Sequence, residues 1–172
     1  RGERPQKGRY REFYQCDIDV IGEGELSVAY DAEIPRVIYS IFSQLDFGKF
    51  TIRVSNRKIL SGLIKHLELS SSSVEVMRVI DKVDKISRTE FIAELKKLGM
   101  NTDQIDLLNQ YVFAEGDSDS ILATLRAAKI DSLELQQGIE ELESVVSLMR
   151  NMGIPDNYFR IDLTIARGLD YY

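Results

Sequence analysis

YFRIDLTIA, residues 158–166, decides the fold class, because it places strand-like sequence after a long helical stretch. Phe159, Ile161, Leu163 and Ile165 alternate with mostly polar side chains, a period of two that is typical of a strand with one buried face. The pattern predicts a sheet interrupted by helices, in an α/β or α+β fold.

The sequence before the helical stretch alternates between strand and helix signals. Its predicted elements are, in order, a strand at 9–21, a helix opened by Asp31 with Pro35 in its first turn, a strand at 50–55, and a helix at 56–66 capped by Asn56. These elements predict a sheet with helices packed on it.

The stretch ELSSSSVE, residues 68–75, predicts a linker, because serine runs are typical of loops. Helical spacing then continues to Met152, with a capping box at Ser87–Glu90 and a helix end at Gly99. Further helix starts are predicted at Thr102, Asp117 and Asp131. The predicted domains are a sheet portion at 1–73, a helical insertion domain at 74–152, and a return to the sheet at 153–172.

Composition limits the class of protein. The 172-residue chain has no apolar run near the ~20 residues of a membrane-spanning helix, and its single cysteine fits a reducing cytosol. The net charge is -6, but residues 1–12 carry five basic and two acidic side chains. Positive charge is therefore local, and a generally basic nucleic-acid binder is excluded.

Several kinds of site are also excluded. One histidine, His66, and one cysteine, Cys16, supply neither a transition-metal cluster nor a Cys/His nucleophile pair. The sequence has no glycine-rich phosphate loop. Any bound nucleotide is therefore held by side chains.

Polar residues of the first and last strands define a candidate pocket, if both strands lie in one sheet. Its members are Arg1, Glu3, Arg9, Gln15, Asp19, Arg167, Tyr171 and Tyr172. Converging guanidinium groups fit a triphosphate, and buried Asp, Gln and Tyr side chains fit an amino acid. The alternatives are a solvated polar strand face and two ordinary strand tyrosines.

Two motifs resemble those of one family. RGERPQKGRYREFYQCDIDVIG, residues 1–22, resembles motif 2 of the class II aminoacyl-tRNA synthetases in its histidyl-tRNA synthetase form, and ARGLDYY, residues 166–172, resembles the histidine-specific motif of that family. The resemblance implies an α+β fold, with part of the antiparallel class II sheet interrupted by an all-helical insertion domain. It implies ATP-dependent charging of tRNA(His) with histidine.

The resemblance also implies how ATP is held. Arg1 matches the motif 2 arginine at the α-phosphate, and Glu3 matches an acid near the adenine. Arg9 matches the arginine at the terminal phosphates, and Phe13 matches the ring that stacks on adenine. Arg167 matches an arginine that stands at the α-phosphate where other class II enzymes place a metal. Arg1 and Arg167 are thus the expected catalytic residues.

Histidine recognition is implied in the same way. Gln15 matches a contact to the substrate histidine, and Asp19 and Tyr172 match groups around its imidazole, with Tyr171 beside them. Arg167 is expected to border the same amino acid.

The expected ligands follow from these roles. They are histidine, tRNA(His), and ATP with Mg²⁺ as the substrate complex, with no tightly bound cofactor and no resident metal. The resemblance further implies a cytoplasmic homodimer without membrane contact. Motif 1, motif 3 and the anticodon-binding domain are not matched in this sequence, so the chain alone is expected to be inactive.

Two other functions compete with this interpretation. The regulatory subunit of ATP phosphoribosyltransferase is a non-catalytic relative, but it generally lacks the long helical insert. The second alternative is an interaction module in which the insert only clamps the tRNA acceptor arm.

Overall fold

The computed structural model describes residue 7 and residues 10–46, 48–127 and 130–166. Within this part of the chain, helices dominate and two short strands pair. The elements are α1 (Ala29–Leu45), β1 (Ile52–Val54), α2 (Arg57–His66), α3 (Ser73–Ile80), α4 (Arg88–Lys97), α5 (Thr102–Val112), α6 (Ser118–Ala127), α7 (Leu133–Asn151) and β2 (Phe159–Ile161). Single 3-10 turns cover Ser70–Ser72, Val83–Lys85 and Asp156–Tyr158.

The two strands form a parallel pair, with Ile52 opposite Phe159 and Val54 opposite Ile161. The predicted antiparallel sheet is therefore not what the described strands form. A parallel pair needs a long crossover connection, and helices α2 to α7 supply it. A strand does follow the helices, as the pattern at 158–166 predicts, but it covers three residues instead of nine.

The predicted first strand is wrong over its described residues, since residues 10–26 form neither helix nor strand. Tyr10, Tyr14 and Ile21 of this segment are exposed. A strand is stable only when its N–H and C=O groups bond to a neighbouring strand, and no described residue pairs with this segment. Alternating apolar and polar residues indicate that one face of a segment could be buried, but they do not show that a neighbouring strand is there to pair with it.

Helix α1 begins at Ala29, three residues before the start that a cap at Asp31 predicts. Asp31 lies in its first turn instead of capping it, and Pro35 is the seventh helical residue instead of a first-turn residue. Proline has no N–H, so the helix loses one backbone hydrogen bond at this position. Pro35 is buried, which places the ring in the packed side of α1.

The predicted serine linker is also wrong. Ser70–Ser72 form a 3-10 turn that leads directly into α3 at Ser73. Leu67 and Leu69, just before the serines, are buried in the core, so the segment is anchored by packing. The amino-acid composition shows a run of serines, but it does not show that the two leucines before them are buried.

Most local helix signals are confirmed. The Asn56 side chain accepts a hydrogen bond from the Lys58 N–H at 2.9 Å, and the Ser87–Glu90 capping box forms as predicted. Gly99, with φ +85°, follows the end of α4. Asp117 accepts from the Ser120 N–H at 2.8 Å. The helix starts predicted at Thr102 and Asp131 are each one residue away from the observed N-cap residue. The side chains of Asn101 and Ser132 accept the capping hydrogen bonds instead.

The buried apolar residues of the described chain form one cluster, and within it α2 and α7 come very close together. A Cβ atom added at Gly62 would lie 2.6 Å from the Leu135 backbone nitrogen, and one at Gly138 would lie 2.9 Å from the Ile59 nitrogen. Only glycine permits backbones this close. Helix α7, within the predicted insert, thus packs on α2, within the predicted sheet portion. The domain boundaries themselves stay a prediction.

Arg150, near the end of α7, links three elements. Its guanidinium donates from Nη1 to Asp119 Oδ1 in α6 at 2.9 Å, and from Nε to Asp156 Oδ1 at 2.8 Å in the turn before β2. These hydrogen bonds, first that to Asp156, raise the pKa of Arg150, so the guanidinium stays charged. The entry of the chain into β2 is thereby tied to the helices.

None of the helices in the described part of the chain combines the length and apolar character needed to cross a bilayer.

We expect Gly62→Ala to destabilise the protein. The methyl group gains helix propensity, but it meets the backbone of α7, and overpacking of this kind costs about 1–3 kcal/mol. Chemical denaturation followed by circular dichroism measures the free energy of unfolding. Ser144→Ala on the exposed side of α7 is the control, with an expected change within about 0.5 kcal/mol. Equal stability of the two variants would contradict the close contact.

Candidate functional site

The two strands end at one edge of the sheet, because they run parallel. We call this the carboxyl edge: residues 55–56 after β1 and residues 162–166 after β2. The Asp162 N–H donates to the Val54 carbonyl at 2.9 Å, which extends the pairing to the edge itself. The chain then continues from Ala166 towards Arg167, so the predicted catalytic motif starts here.

A buried carboxylate organises the carboxyl edge. Asp162 Oδ2 accepts from Arg53 Nη1 at 3.0 Å and from Arg160 Nη2 at 3.2 Å, while its Oδ1 accepts from the Thr164 N–H at 3.0 Å and hydroxyl at 2.6 Å. The Asp162 side chain is only 7% exposed. All four bonds stabilise a carboxylate, which places a fixed negative charge at this edge.

The protonation state of this group follows from opposing effects. Burial raises the pKa of Asp162, but the bonds from Thr164, Arg53 and Arg160 together outweigh it and hold the pKa below the ordinary 3.8. The pKa of Arg53 is raised by its hydrogen bonds to Asp84 and Asp162. Both groups are therefore charged near neutral pH, and Asp162 is unsuited to donate a proton.

The Asp162 network sets the direction in which the chain leaves β2. Thr164 bonds back to the Asp162 carboxylate, and the Ile165 N–H donates to the Asp162 carbonyl at 3.3 Å, which closes a turn. Arg53 reaches from β1 to Asp84 Oδ2 at 3.1 Å, so the same network ties the turn to the segment after α3. The residue before Arg167, Ala166, is buried.

A second carboxylate anchors the end of β1. Glu141 of α7 accepts from the Asn56 amide at 2.9 Å and from Lys58 Nζ at 2.5 Å. Its pKa is lowered, first by the bond from Lys58 and then by that from Asn56, so Glu141 is ionised. Asn56 thus caps α2 with its oxygen and holds α7 with its nitrogen. Side-chain hydrogen bonds therefore hold the carboxyl edge at the end of each strand.

Three of the predicted site residues lie in the described part of the chain. Phe13 is 62% exposed, Asp19 is exposed, and Gln15 Nε2 donates to Asp17 Oδ1 at 2.6 Å. No hydrogen bond or ion pair of the described residues joins them to the carboxyl edge. Arg1, Glu3, Arg9, Arg167, Tyr171 and Tyr172 lie outside the described residues. That the predicted site residues converge on one pocket therefore stays a prediction.

The structure reveals site-forming residues that the sequence patterns did not single out. In the sequence pattern, Asp162 and Arg160 are only polar residues on one face of a predicted strand, and no pattern assigns a role to Arg53. A recognisable signal was present, because an aspartate two residues before a threonine, directly after a strand, favours a side-chain-capped turn. Nothing in the sequence indicated that Arg53 would reach the same carboxylate.

Within the described ranges, no three or more His, Cys, Asp or Glu side chains are grouped so that they hold a metal ion.

Comparison with known proteins gives consistent matches. The sequence model of one family, described as histidyl-tRNA synthetase, matches residues 1–172. The histidine–tRNA ligase of Clostridium tetani is 45% identical over 172 residues, which cover 100% of this chain and 39% of that protein. The ligase of Nostoc sp. is 42% identical over 176 residues, with 100% and 38% covered. The chain thus spans less than half the length of these relatives.

Solved structures match as well. The crystal structure of histidyl-tRNA synthetase from Nostoc sp. PCC 7120 superposes with a TM-score of 0.84 at 37% identity, covering 88% of this chain and 36% of that one. A structure titled as an ATP phosphoribosyltransferase regulatory subunit/histidyl-tRNA synthetase from Bacillus halodurans C superposes with a TM-score of 0.69 at 14% identity, covering 87% and 38%. The second match shows a shared fold alone.

We expect Asp162→Asn to destabilise the protein at neutral pH by about 1–3 kcal/mol, because asparagine leaves Arg53 and Arg160 without their shared anion. A group whose pKa is lowered on folding stabilises the protein above its ordinary pKa, and this stabilisation is lost as pH falls through the native value. The difference between the two proteins should therefore shrink as pH falls below 3.8. Urea unfolding at a series of pH values measures it.

Asp84→Asn is the matched control. It removes an exposed partner of the same arginine, and exposed ion pairs contribute no more than about 1 kcal/mol. A loss from Asp84→Asn as large as that from Asp162→Asn would contradict the assigned role of the buried carboxylate.

Proposed function

This chain belongs to the histidyl-tRNA synthetase family, and on that premise we propose that it supplies part of the catalytic centre of a histidine–tRNA ligase. The observation that carries the proposal is the match over all 172 residues to histidine–tRNA ligases at 45% identity. The proposed reaction activates histidine with ATP and transfers it to the 3′ end of tRNA(His).

The activation step needs charge stabilisation. An oxygen of the histidine carboxylate forms a bond to the α-phosphorus of the Mg²⁺–ATP substrate, the bond to the bridging oxygen breaks, and pyrophosphate leaves with the electron pair. Negative charge concentrates on the α-phosphate oxygens as this happens. We assign Arg1 and Arg167 to those oxygens, because guanidinium groups positioned beforehand stabilise the charge without transferring a proton.

The rest of the ATP site is assigned from motif 2. Arg9 binds the terminal phosphates, Phe13 stacks on the adenine, and Glu3 lies near the base. The exposure of Phe13, at 62%, leaves its ring accessible to such a ligand. Stacking on an aromatic ring contributes binding without reading the hydrogen-bonding edge of the base.

Histidine recognition is assigned to Gln15, Asp19, Tyr171 and Tyr172, with Arg167 beside them. An imidazole has one N–H donor and one acceptor nitrogen in its neutral form, so a carboxylate and a phenol hydroxyl satisfy both. A site with these polar groups rejects an amino acid that leaves them unpaired. Specificity for histidine follows from that mismatch.

The carboxyl edge supports these assignments. Asp162 holds the turn at residues 162–165, and Ala166 is buried directly before Arg167. A guanidinium that must meet a phosphate gains from a rigid starting point, because a misplacement of about 1 Å lowers the rate substantially. We therefore assign the network around Asp162 the task of orienting the histidine-specific motif.

The wider properties of the ligase are proposals on the same basis. We assign residues 1–73 and 153–172 to the class II sheet portion and residues 74–152 to the helical insertion domain. The parent enzyme is proposed to be a cytoplasmic homodimer without membrane contact, which takes ATP with Mg²⁺ as a substrate complex and holds no tightly bound cofactor.

The relatives favour a ligase over the two alternatives. The curated matches at 40–45% identity are histidine–tRNA ligases, whereas the structure whose title names a regulatory subunit is 14% identical. The interaction-module alternative would be favoured by binding of tRNA without any response to histidine or ATP.

We expect histidine-dependent exchange of pyrophosphate into ATP when this chain replaces the matching segment of the Clostridium tetani ligase, and none from the chain alone. Arg167→Ala in the chimera should lower exchange by roughly 10²–10³-fold, because it removes a group that stabilises the transition state. Arg126→Ala, at an exposed ion pair with Glu143, is the control and should exchange normally.

Two outcomes would overturn the proposal. A chimera that unfolds cooperatively but exchanges nothing would show that the chain does not supply a competent catalytic segment. Full exchange by the Arg167→Ala chimera would remove that residue from the mechanism.

A further inference from the structure

An open groove of about 480 Å³ lies between α2 and α3. We call it the α2–α3 groove, and its walls are residues 57–65 and 70–82. Pockets that hold small molecules have volumes of about 300–1,000 Å³, so one such molecule fits this space. None of the residues assigned to ATP or histidine stands among the described lining residues. The groove is therefore a candidate for a second ligand.

Each wall of the α2–α3 groove presents a row of side chains four residues apart, because residues at this spacing share one face of a helix. Lys82 stays on its row although α3 ends at Ile80, since Lys82 keeps right-handed helical backbone angles. Each wall carries two basic side chains. The rows are Arg57–Ser61–Lys65 on the α2 wall and Val74–Arg78–Lys82 on the α3 wall.

The four basic side chains are exposed, and within the described part of the chain none of them forms a salt bridge. One carboxylate, Asp81, also lines the groove and takes part in an interaction of its own. Arg78 and Lys82 stand about one helical turn apart, where like charges repel one another. An anionic group between these two cations relieves the repulsion and accepts hydrogen bonds from both.

The α2–α3 groove also carries apolar surface. Val74 on its wall is 55% exposed, Met77 is partly buried, and Ile64 and Ala166 line the groove as buried residues. Covering the exposed part of this surface with an apolar group is favourable, because it releases the surface from water. A bare inorganic anion would leave it uncovered.

Hydroxyl groups add further hydrogen-bond donors. Ser61, Ser70 and Ser73 line the groove, and no side-chain hydrogen bond within the described ranges engages their hydroxyls. Each hydroxyl has one O–H to donate to an anionic oxygen. A neutral apolar ligand would leave both these donors and the cations unpaired. The lining as a whole therefore favours a molecule with an apolar body and an anionic head.

We propose that the α2–α3 groove binds a small amphipathic organic anion. Its sulfonate, phosphate or carboxylate head lies between Arg78 and Lys82, and its apolar body covers Val74 and Met77. The proposal goes beyond the ligase function and does not depend on it, because no residue assigned to that reaction takes part.

The test is a titration of the ¹⁵N-labelled 172-residue chain with 2-naphthalenesulfonate, followed in ¹H–¹⁵N correlation spectra. The matched ligand is 2-naphthalenemethanol, which has the same rings without the charge. The sulfonate should shift the amide signals of residues 57–65 and 70–82 in a saturable manner. It should bind roughly tenfold more tightly than the alcohol, because only the sulfonate accepts hydrogen bonds from the two cations as an anion.

Three variants separate charge from apolar contact. Arg78→Gln/Lys82→Gln should weaken sulfonate binding roughly tenfold and leave alcohol binding unchanged, because it removes the cations of the head site. Val74→Ser should weaken binding of both probes about threefold, because it removes apolar contact. Lys49→Gln/Lys96→Gln is the control for charge, since it removes two exposed lysines outside the groove, and it should change neither affinity.

Four results would overturn the proposal. They are a sulfonate that binds no more tightly than the alcohol, shifted amides that lie outside the two walls, equal losses of sulfonate affinity in the two double variants, and no saturable shift in the unmodified chain. Thermal melts of all three variants establish that each is folded, so that a lost affinity reports on the groove.

Discussion

The close approach of α2 and α7 at two glycines is the constraint on which the rest of the structure depends. Helix α2 follows β1 and helix α7 precedes β2, so the contact at Gly62 and Gly138 brings together two strands that are distant in the sequence. Parallel pairing then places both strand ends at one edge, where Glu141 and Asp162 each hold one strand. A methyl group at either glycine would separate the helices that align the site.

What could be predicted from the sequence was mainly local. Asn56 and Ser87 cap helices as expected, since a cap needs only bonds within one turn. The strand at 9–21 was not found in the described residues, because a strand depends on a partner that alternation does not reveal. Asp162 looked like an ordinary polar strand residue, and its burial depends on Arg53, which is 109 positions away. The predicted ligand contacts came from family resemblance, and six of the nine residues fall outside the described chain.

Charge is divided between two uses in this chain. At the carboxyl edge, arginines and carboxylates neutralise one another and hold the backbone, so their charges serve geometry. On α2 and α3, the exposed side chains of Arg57, Lys65 and Arg78 form no salt bridge within the described part of the chain, so their charge acts on whatever approaches. Ala166, the last residue of the carboxyl edge, lines the same open groove as these three side chains.

The parallel pairing of β1 and β2 also bears on how the protein folds. Hydrogen bonds within a helix join residues four positions apart, whereas pairing Ile52 with Phe159 must close a loop of more than a hundred residues, as the contact of α2 with α7 must close most of it. The carboxyl edge therefore depends on contacts between parts of the chain that are far apart in sequence. During synthesis on the ribosome, β1 therefore emerges before α2 to α7 and stays unpaired until β2 has followed them.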